Sequence, residues 1–279
     1  MSPVTARNNN GPFGLGWFVV LVFGLLWSVM VPAALAAHGM LHLRVPRGLQ
    51  FLAEFAPTLA AIVATIAIGG RKSLPAFAGR LLRIKISWRW YALALFVPLA
   101  TQLMAFGVYC LVRNAAPRVD DFLDWPMVMA LYVPVCLMQE EIGWRGFFLD
   151  GLMQRTSLWG ATLWMAGVWG LWHLPTFLAQ SSGQLYLIFL AGIIPASAWF
   201  SFIYSRTRSV VLCAILHASL NAGLPNWLAP LPTEGARFAF GIWIGLFWLA
   251  TIPVFFALRK ERKPSQMQSP EAEGAREAF

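Results

Sequence analysis

Long apolar runs separated by short polar segments dominate the sequence. A helix needs roughly 20 apolar residues to cross the hydrocarbon core of a bilayer, and several of the runs approach or exceed that length. This pattern predicts an all-α, polytopic membrane protein with about eight transmembrane helices enclosing an intramembrane cavity. The predicted spans are residues 13–37, 49–68, 88–112, 125–149, 158–178, 185–204, 210–228 and 236–258.

Composition supports a membrane protein and argues against a water-soluble domain. Hydrophobic residues make up 58% of the chain and charged residues only 12%, about half the charged share of an average soluble protein. The formal charge of +9 could indicate a nucleic-acid partner, but the basic residues lie in loops between apolar runs and form no basic module. We therefore expect no nucleic acid among the partners.

The distribution of positive charge predicts the orientation. Most of the 21 Lys and Arg residues fall at the termini or in loops on the same side as the termini. Because cytoplasmic loops are enriched in Lys and Arg, we expect both termini in the cytoplasm, in the inner membrane of a bacterium. Ala34-Leu35-Ala36 resembles a signal-peptidase site, but the preceding apolar run, 13–31, is longer than a signal sequence requires. Cleavage there would leave seven spans with the same orientation.

The domain organisation is simple. We predict a cytoplasmic segment over 1–12, one transmembrane domain over 13–258 with its motif core at 131–223, and a cytoplasmic tail over 259–279. The tail is rich in polar residues, so we expect it to be disordered.

Few ionisable residues lie within the predicted spans. Because such groups are costly in hydrocarbon, each one is a candidate for function. Glu54 lies near the outer end of its span, where it could reach water, and we assign it a structural role. The others, with one amide companion, are Glu140, Glu141, Arg145, His173, His217 and Asn221.

The sequence Glu140-Glu141-Ile142-Gly143-Trp144-Arg145 places two adjacent carboxylates deep in the fourth span. Glu141 and Arg145 are four residues apart, the spacing at which a carboxylate and a guanidinium meet on one helix face. Glu140 points about 100° away around the helix and lacks that partner. We therefore predict that Glu141 is held by Arg145, while Glu140 is available for chemistry.

Two histidines complete the candidate site. His217 and Asn221 share one helix face and could act as a pair of hydrogen-bond donors. His173 follows Trp169 by one turn, which predicts an aromatic wall beside the imidazole. On straight helices His173 would lie about 22 Å from the cytoplasmic end and Glu140 about 14 Å. We therefore expect the fifth helix either to begin later than residue 158 or to bend near Pro175.

A carboxylate, two imidazoles and an amide, without a nucleophilic side chain, favour attack by water. Glu140 would take the proton of water, His173 would assist, and His217 and Asn221 would stabilise the oxyanion. The alternative is a zinc site built from the two histidines and a glutamate. No H-E-x-x-H motif is present and Asn is a poor zinc ligand, so we predict no metal or other cofactor.

In these motifs the sequence resembles the CPBP family, which includes type II CAAX prenyl endopeptidases and proteins linked to bacteriocin self-immunity. The family's E-E-x-x-x-R, F-x-x-x-H and H-x-x-x-N motifs correspond to Glu140-Glu141 with Arg145, to His173, and to His217 with Asn221. Trp169 stands where the family usually has Phe. The resemblance covers about 131–223. It implies an eight-helix fold and a metal-independent endopeptidase in which Glu140, His173, His217 and Asn221 are catalytic and Glu141, Arg145 and Trp169 support them.

Two classes of function remain open. The first is an intramembrane glutamate-type endopeptidase acting on a peptide or lipidated protein near the membrane lipids. The second is a non-catalytic membrane protein, such as an immunity factor, transporter or scaffold, in which Glu140 relays protons or fixes helices. The pair formed by His217 and Asn221 favours the first class, since proton relay does not need two oxyanion donors.

Overall fold

The computed structural model describes residues 12–114, 123–180, 183–223 and 233–260, and in that part of the chain all regular structure is helical. Nearly all of the predicted N-terminal segment and of the predicted tail lies outside the described residues. The helices are α1 (Pro12–Ala37), α2 (Arg47–Ala53), α3 (Ala56–Gly69), α4 (Leu74–Leu81), α5 (Trp88–Arg113), α6 (Trp125–Cys136), α7 (Asp150–Met153), α8 (Leu158–Trp172), α9 (Leu174–Ala179), α10 (Gly183–Thr207), α11 (Val210–Ala222) and α12 (Thr233–Lys260).

Two π-helical segments, Leu137–Glu141 and Trp144–Leu149, join α6 to α7. The first carries both adjacent glutamates, and the second begins beside Arg145. Residues 125–153 thus form one continuous helical stretch, which we call the motif helix.

Helices α1, α5, α10 and α12 are long and apolar enough to cross a membrane. Their apolar stretches match four of the predicted spans, with ends that differ by a few residues. The chain is therefore an integral, multi-pass α-helical membrane protein.

Helices α2 and α3 meet at a bend of 44° and together are long enough for a fifth crossing. The span predicted over 49–68 corresponds to this bent pair of helices rather than to one regular helix. Pro57 lies in the first turn of α3, where the missing N–H of proline is tolerated, but a straight helix through Phe55 would need that N–H as a donor. The break places Glu54 at the corner rather than inside a regular helix.

The structure does not show eight crossings, because the other three predicted spans are interrupted or short. The motif helix contains the π segments and several charged residues, and the fifth predicted span divides into α8 and α9. Helix α11 has only 13 residues and packs against α5 and α6. The end predicted for its span, residue 228, lies outside the described residues. Residues 74–81, which lie between two predicted spans, form α4.

Aromatic packing fixes the motif helix against its neighbours. The Trp144 ring meets Trp172 of α8 edge to face, with ring centroids 5.6 Å apart, and it contacts Phe18 of α1 at 5.5 Å. All three side chains are fully buried. Such pairs contribute about 0.5–1.5 kcal/mol beyond their buried area, so they hold three helices in register beside the two glutamates.

A buried amide positions α11. The Nε2 amide of Gln102 in α5 donates to the backbone carbonyl of Ser219 at 2.9 Å, and the Ser219 hydroxyl donates back to the carbonyl of Leu95 at 2.8 Å. Hydrogen bonds between helices orient them where water is scarce. Ser219 is two residues from His217, so this link to α5 sets the depth of that imidazole.

Candidate active site

Glu140 and Glu141 lie at the end of the first π segment. The N–H of Ile142 bonds to the carbonyl of Leu137, five residues earlier, which is the hydrogen bond of a π-helix. Pro134, just before this segment, removes one backbone donor from the helix. Single π turns are frequent at functional sites because they redirect side chains that a regular helix would space evenly.

Glu141 and Arg145 form the predicted ion pair, with Arg145 Nη1 and Glu141 Oε1 2.8 Å apart. Neither side chain has any exposed surface. The same oxygen accepts a second hydrogen bond from Nδ1 of His217 at 2.7 Å. Because a carboxylate only accepts, that ring nitrogen carries a proton, and Glu141 fixes the orientation of the imidazole.

Arg145 packs in a corner between two aromatic rings. Its guanidinium carbon lies 3.5 Å from the ring centroid of Phe200 and 4.4 Å from that of Trp169. Of its nitrogens, Nε and Nη2 have no hydrogen-bond partner among the described residues. The aromatic faces therefore supply much of the stabilisation of this buried charge.

Glu140 has different neighbours, as predicted. The indole N–H of Trp169 donates to Oε2 of Glu140 at 2.6 Å. On the other side, Nε2 of His217 lies 3.9 Å from Oε1 of Glu140, beyond direct hydrogen-bond length. The Glu140 side chain retains 12% of its surface accessible, whereas Glu141 retains none. Of the two carboxylates, only Glu140 therefore has both an accessible face and no direct bond to arginine.

His173 occupies the break between α8 and α9. Helix α8 begins at Leu158, capped by the Ser157 hydroxyl, so the expected later start was wrong. The interruption falls at His173 itself, two residues before Pro175, in agreement with the second alternative. Nδ1 of His173 lies 2.8 Å from the backbone carbonyl of Trp169, which can only accept. The neutral ring is therefore protonated at Nδ1 and keeps its lone pair on Nε2.

Trp169 joins the candidate residues. Its ring lies edge to face against both histidines, with centroids 5.7 Å from His173 and 5.6 Å from His217. The hydrogen bond of His173 goes to this tryptophan rather than to Glu140. The structure thus groups Glu140, Glu141, Arg145 and His217 directly, and it connects His173 to them through Trp169.

Asn221 lies one turn beyond His217 on α11, and its side chain is exposed. The shared helix face predicted for His217 and Asn221 is present. However, Nδ1 of His217 is occupied by Glu141, so only Nε2 of that ring remains for another partner.

Sequence reasoning missed two features of the site. Trp169 was predicted only to form an aromatic wall beside His173. Its indole N–H is also a hydrogen-bond donor, and this second role was not predicted. Glu54, expected near the outer interface, lies at the corner between α2 and α3, where its Oε1 accepts from the Thr176 hydroxyl at 3.5 Å. Its carboxyl is close enough to interact electrostatically with Glu140. Pro57 was the feature of the sequence that could have predicted this corner, because proline interrupts a helix.

The site is a buried cluster of glutamate and histidine side chains, which is consistent with a catalytic site. Glu141 and Arg145 form an inaccessible ion pair that holds His217, and the two histidines flank the more accessible Glu140. No three His, Cys, Asp or Glu side chains in the described ranges converge in a geometry suited to a metal ion.

Fold and site together define a class: a multi-pass helical membrane protein with a buried cluster of carboxylates and histidines on neighbouring helices. Residues 122–223 match the family described as "Type II CAAX prenyl endopeptidase Rce1-like", within the CPBP proteins. This segment is similar to that family, which is one of proteases. It contains every candidate site residue, so the predicted resemblance is confirmed.

A curated relative agrees. The chain is 30% identical over 92 residues to "CAAX prenyl protease 2" of Methanococcus maripaludis. The match covers 29% of this chain and 34% of the relative, so it spans about a third of that protein.

Proposed function

We propose that this protein is an intramembrane endopeptidase of the CAAX-protease type, in which Glu140 activates water. The observation that carries the proposal is the contrast between two adjacent carboxylates. Glu141 is sealed in an ion pair, whereas Glu140 has an accessible face and lies among two imidazoles and an indole. A carboxylate with access to water and flanking proton carriers has the features of a general base.

In the proposed reaction, Glu140 takes a proton from water while the water oxygen attacks the carbonyl carbon of the scissile peptide bond. The tetrahedral intermediate then collapses, the C–N bond breaks, and the proton passes to the leaving amine. Nε2 of His173, the ring atom not bonded to Trp169, assists this transfer. The products are a carboxylic acid and an amine, and positioned acid-base groups accelerate such steps by about 10²- to 10⁴-fold.

His217 and Asn221 are proposed to stabilise the oxyanion. Since Nδ1–H of His217 is donated to Glu141, donation to an oxyanion requires a second proton on Nε2, and the ring would then act as an imidazolium. Glu141 and Arg145 support it by fixing the ring plane. Losing one oxyanion donor costs about 10²- to 10³-fold in kcat.

The proposed substrate is a peptide bond near a membrane-embedded or lipidated C-terminus. The name of the archaeal relative and the description of the family support this substrate class. The membrane-spanning helices around the site also fit a substrate that reaches it from within or beside the bilayer.

Glu140→Gln tests the proposal directly. The purified protein is assayed in detergent on a labelled library of peptides with and without C-terminal lipid, beside Glu234→Gln as the matched control. The side chain of Glu234 is 86% exposed and pairs with Arg113, away from the site. We expect Glu140→Gln to abolish cleavage without changing the melting temperature, and Glu234→Gln to cleave normally. Unchanged cleavage by Glu140→Gln would exclude Glu140 as the base, and a wild type that cleaves none of the peptides would favour the non-catalytic class of membrane protein.

Metal dependence is tested on the wild type. A metal-independent glutamate peptidase keeps its activity after treatment with a chelator and dialysis, whereas a zinc enzyme loses activity and regains it with zinc. We propose the former, because the donor geometry and the absence of H-E-x-x-H both argue against a three-ligand site.

For topology, we propose one transmembrane domain over 13–258 with eight crossings, the interrupted helices included, and both termini in the cytoplasm of a bacterial inner membrane. The excess of Lys and Arg on one side supports this orientation. Reporter fusions test it: a fusion after Arg113 should report the outside and one after Arg155 the cytoplasm. The reverse pattern would contradict the orientation.

A further inference from the structure

A second polar site lies at the end of the helix bundle, away from the glutamates. It is a cavity of about 810 Å³ bounded by the end of α4, the end of α10 and the end of the motif helix. Asp150, on its wall, is ten residues beyond Glu140, which is about 15 Å along a helix. Four basic residues and one acid line this basic cavity: Arg80, Arg83, Lys85, Arg208 and Asp150.

Asp150 organises part of the wall. Its side chain is 9% exposed and its Oδ1 lies 2.7 Å from Arg208 Nη1, while Oδ2 lies 3.5 Å from Arg80 Nη1. The Tyr204 hydroxyl and the Gln154 amide also donate to it, at 3.3 and 3.4 Å. One carboxylate therefore holds two guanidinium groups at the cavity, and the net charge of the lining stays positive.

Arg83 and Lys85 supply the remaining positive charge. Both side chains are exposed, and within the described part of the chain neither forms an ion pair with a carboxylate. Two cations beside a cavity and without acidic partners are suited to bind an anion that the protein itself does not provide.

The backbone conformation of Arg208 indicates that an arginine side chain is needed at this position. This residue has φ of 54°, in the left-handed region where glycine is favoured and branched or long side chains are rare. A glycine would relieve the strain between α10 and α11. Arginine at this strained position, bonded to Asp150 and lining the cavity, indicates that the guanidinium has a use there.

Exposed apolar side chains place the cavity at the membrane surface. Leu82 and Ile84 line it and are 67% and 59% exposed, and Trp88, at the start of α5, is 72% exposed. The cavity lies where the membrane span of α5 begins and that of α10 ends. Cations alternating with exposed apolar residues, next to an interfacial tryptophan, are typical of a segment that contacts lipid headgroups and the upper acyl region.

We propose that the basic cavity binds the phosphate of an anionic membrane lipid, with Arg83 and Lys85 contacting the phosphate and Leu82 and Ile84 contacting the glycerol and acyl region. The fit to both a phosphate and an adjoining apolar group favours a lipid over free phosphate. Such a site would hold the loop between α4 and α5 against the membrane beside the ends of α10 and the motif helix.

The test measures the melting temperature of the full-length protein in neutral detergent during titration with phosphatidylglycerol. Arg83→Gln/Lys85→Gln removes the proposed contacts without touching Asp150. Arg71→Gln/Lys72→Gln is the matched control, since it removes the same charge from exposed residues outside the cavity. Phosphatidylcholine with the same acyl chains and inorganic phosphate are the comparison ligands.

We expect a saturable rise in melting temperature for the wild type and the control, because a ligand that binds only the folded state stabilises it. In the cavity variant the apparent Kd should increase by about twenty-five-fold, since each of the two basic residues at an anionic lipid surface contributes about a factor of five. Equal titrations in all three proteins, or an equal effect of phosphatidylcholine, would overturn the proposal. If inorganic phosphate raised the melting temperature equally, the ligand would be a soluble anion rather than a lipid, and the proposal would also be overturned.

Discussion

The indole N–H of Trp169 bonds to Oε2 of Glu140 at 2.6 Å, while the backbone carbonyl of the same tryptophan accepts from His173. Trp169, a single residue of α8, thus positions the carboxylate of the proposed base and orients the imidazole of His173. A phenylalanine at this position would preserve the ring but not the donor.

Trp169→Phe should retain the fold and reduce kcat/KM by about ten- to a hundred-fold. The ring still packs against Arg145 and both histidines, but the hydrogen bond to a charged acceptor, worth about 1.5–3 kcal/mol, is lost. Peptide cleavage and the melting temperature measure the two effects separately.

Trp164→Phe is the control for this substitution, because Trp164 lies on the same helix with its side chain 61% exposed. It should leave both measurements unchanged. A loss of cleavage in Trp169→Phe as complete as in Glu140→Gln would show that the N–H is indispensable, contrary to this expectation.

The two histidines should respond differently to substitution. His173→Leu removes a proton carrier whose hydrogen bond goes to a backbone carbonyl, so we expect cleavage to fall by about 10²- to 10⁴-fold with little change in melting temperature. His217→Leu also removes a donor from the buried Glu141, so both cleavage and melting temperature should fall.

His42→Leu, at an exposed position outside the site, provides the baseline for the loss of an imidazole. Equal losses of melting temperature in the His173 and His217 variants would contradict the different roles. Normal cleavage in His173→Leu would remove that residue from the proposed mechanism.

Contacts within one helix were predictable from the sequence, because helical spacing alone determines them. The pair formed by Glu141 and Arg145 follows from the i, i+4 rule, and the separate direction of Glu140 follows from the helical period. The bond from His217 to Glu141 was not predictable. It depends on the depth of α11, which is set by tertiary contacts such as that of Gln102 with Ser219.

Helix length was harder to predict than helix position. Apolar runs over 158–178 and 210–228 predicted whole spans, but hydropathy does not show where the helix within a run breaks or ends. Most side chains of α11 are buried against other helices, and α8 ends at His173, where the backbone breaks. The π turns at Glu140 could not be predicted from composition. A π turn changes the backbone hydrogen bonds and does not require particular residue types.

The buried ion pair predicts strong coupling between Arg145 and Glu141. Arg145→Met leaves the Glu141 carboxylate without its cation and should reduce the free energy of unfolding by about 3–5 kcal/mol. In Glu141→Gln/Arg145→Met the charge is gone while an acceptor for His217 remains, so the double variant should be more stable than Arg145→Met. Thermal and denaturant unfolding in detergent measure this double-mutant cycle.

The exposed pair of Arg113 and Glu234, with side chains 45% and 86% exposed, is the control cycle. Pairs of this kind couple by about 1 kcal/mol or less, so Arg113→Met should have little effect. If the losses of unfolding free energy in the Glu141 and Arg145 single variants added up in the double variant, the two side chains would not stabilise each other, despite their separation of 2.8 Å.

The close approach of α3 to the motif helix depends on Gly143, between the two π segments. A Cβ at this position would overlap the backbone carbonyl of Pro57 and lie 2.6 Å from its Cβ. Because backbone atoms cannot rotate away as a side chain can, Gly143→Ala must push α3 and the motif helix apart. We expect it to cost about 1–3 kcal/mol of stability or more and to reduce cleavage by displacing the neighbouring Glu140.

Gly167→Ala is the matched control, since Gly167 also lies within a helix and a Cβ there meets nothing within 4 Å. Alanine is the better helix former, so this change should raise stability by about 0.5–1 kcal/mol and leave cleavage intact. If Gly143→Ala behaved in the same way, α3 would not be held against the glutamates by backbone contact.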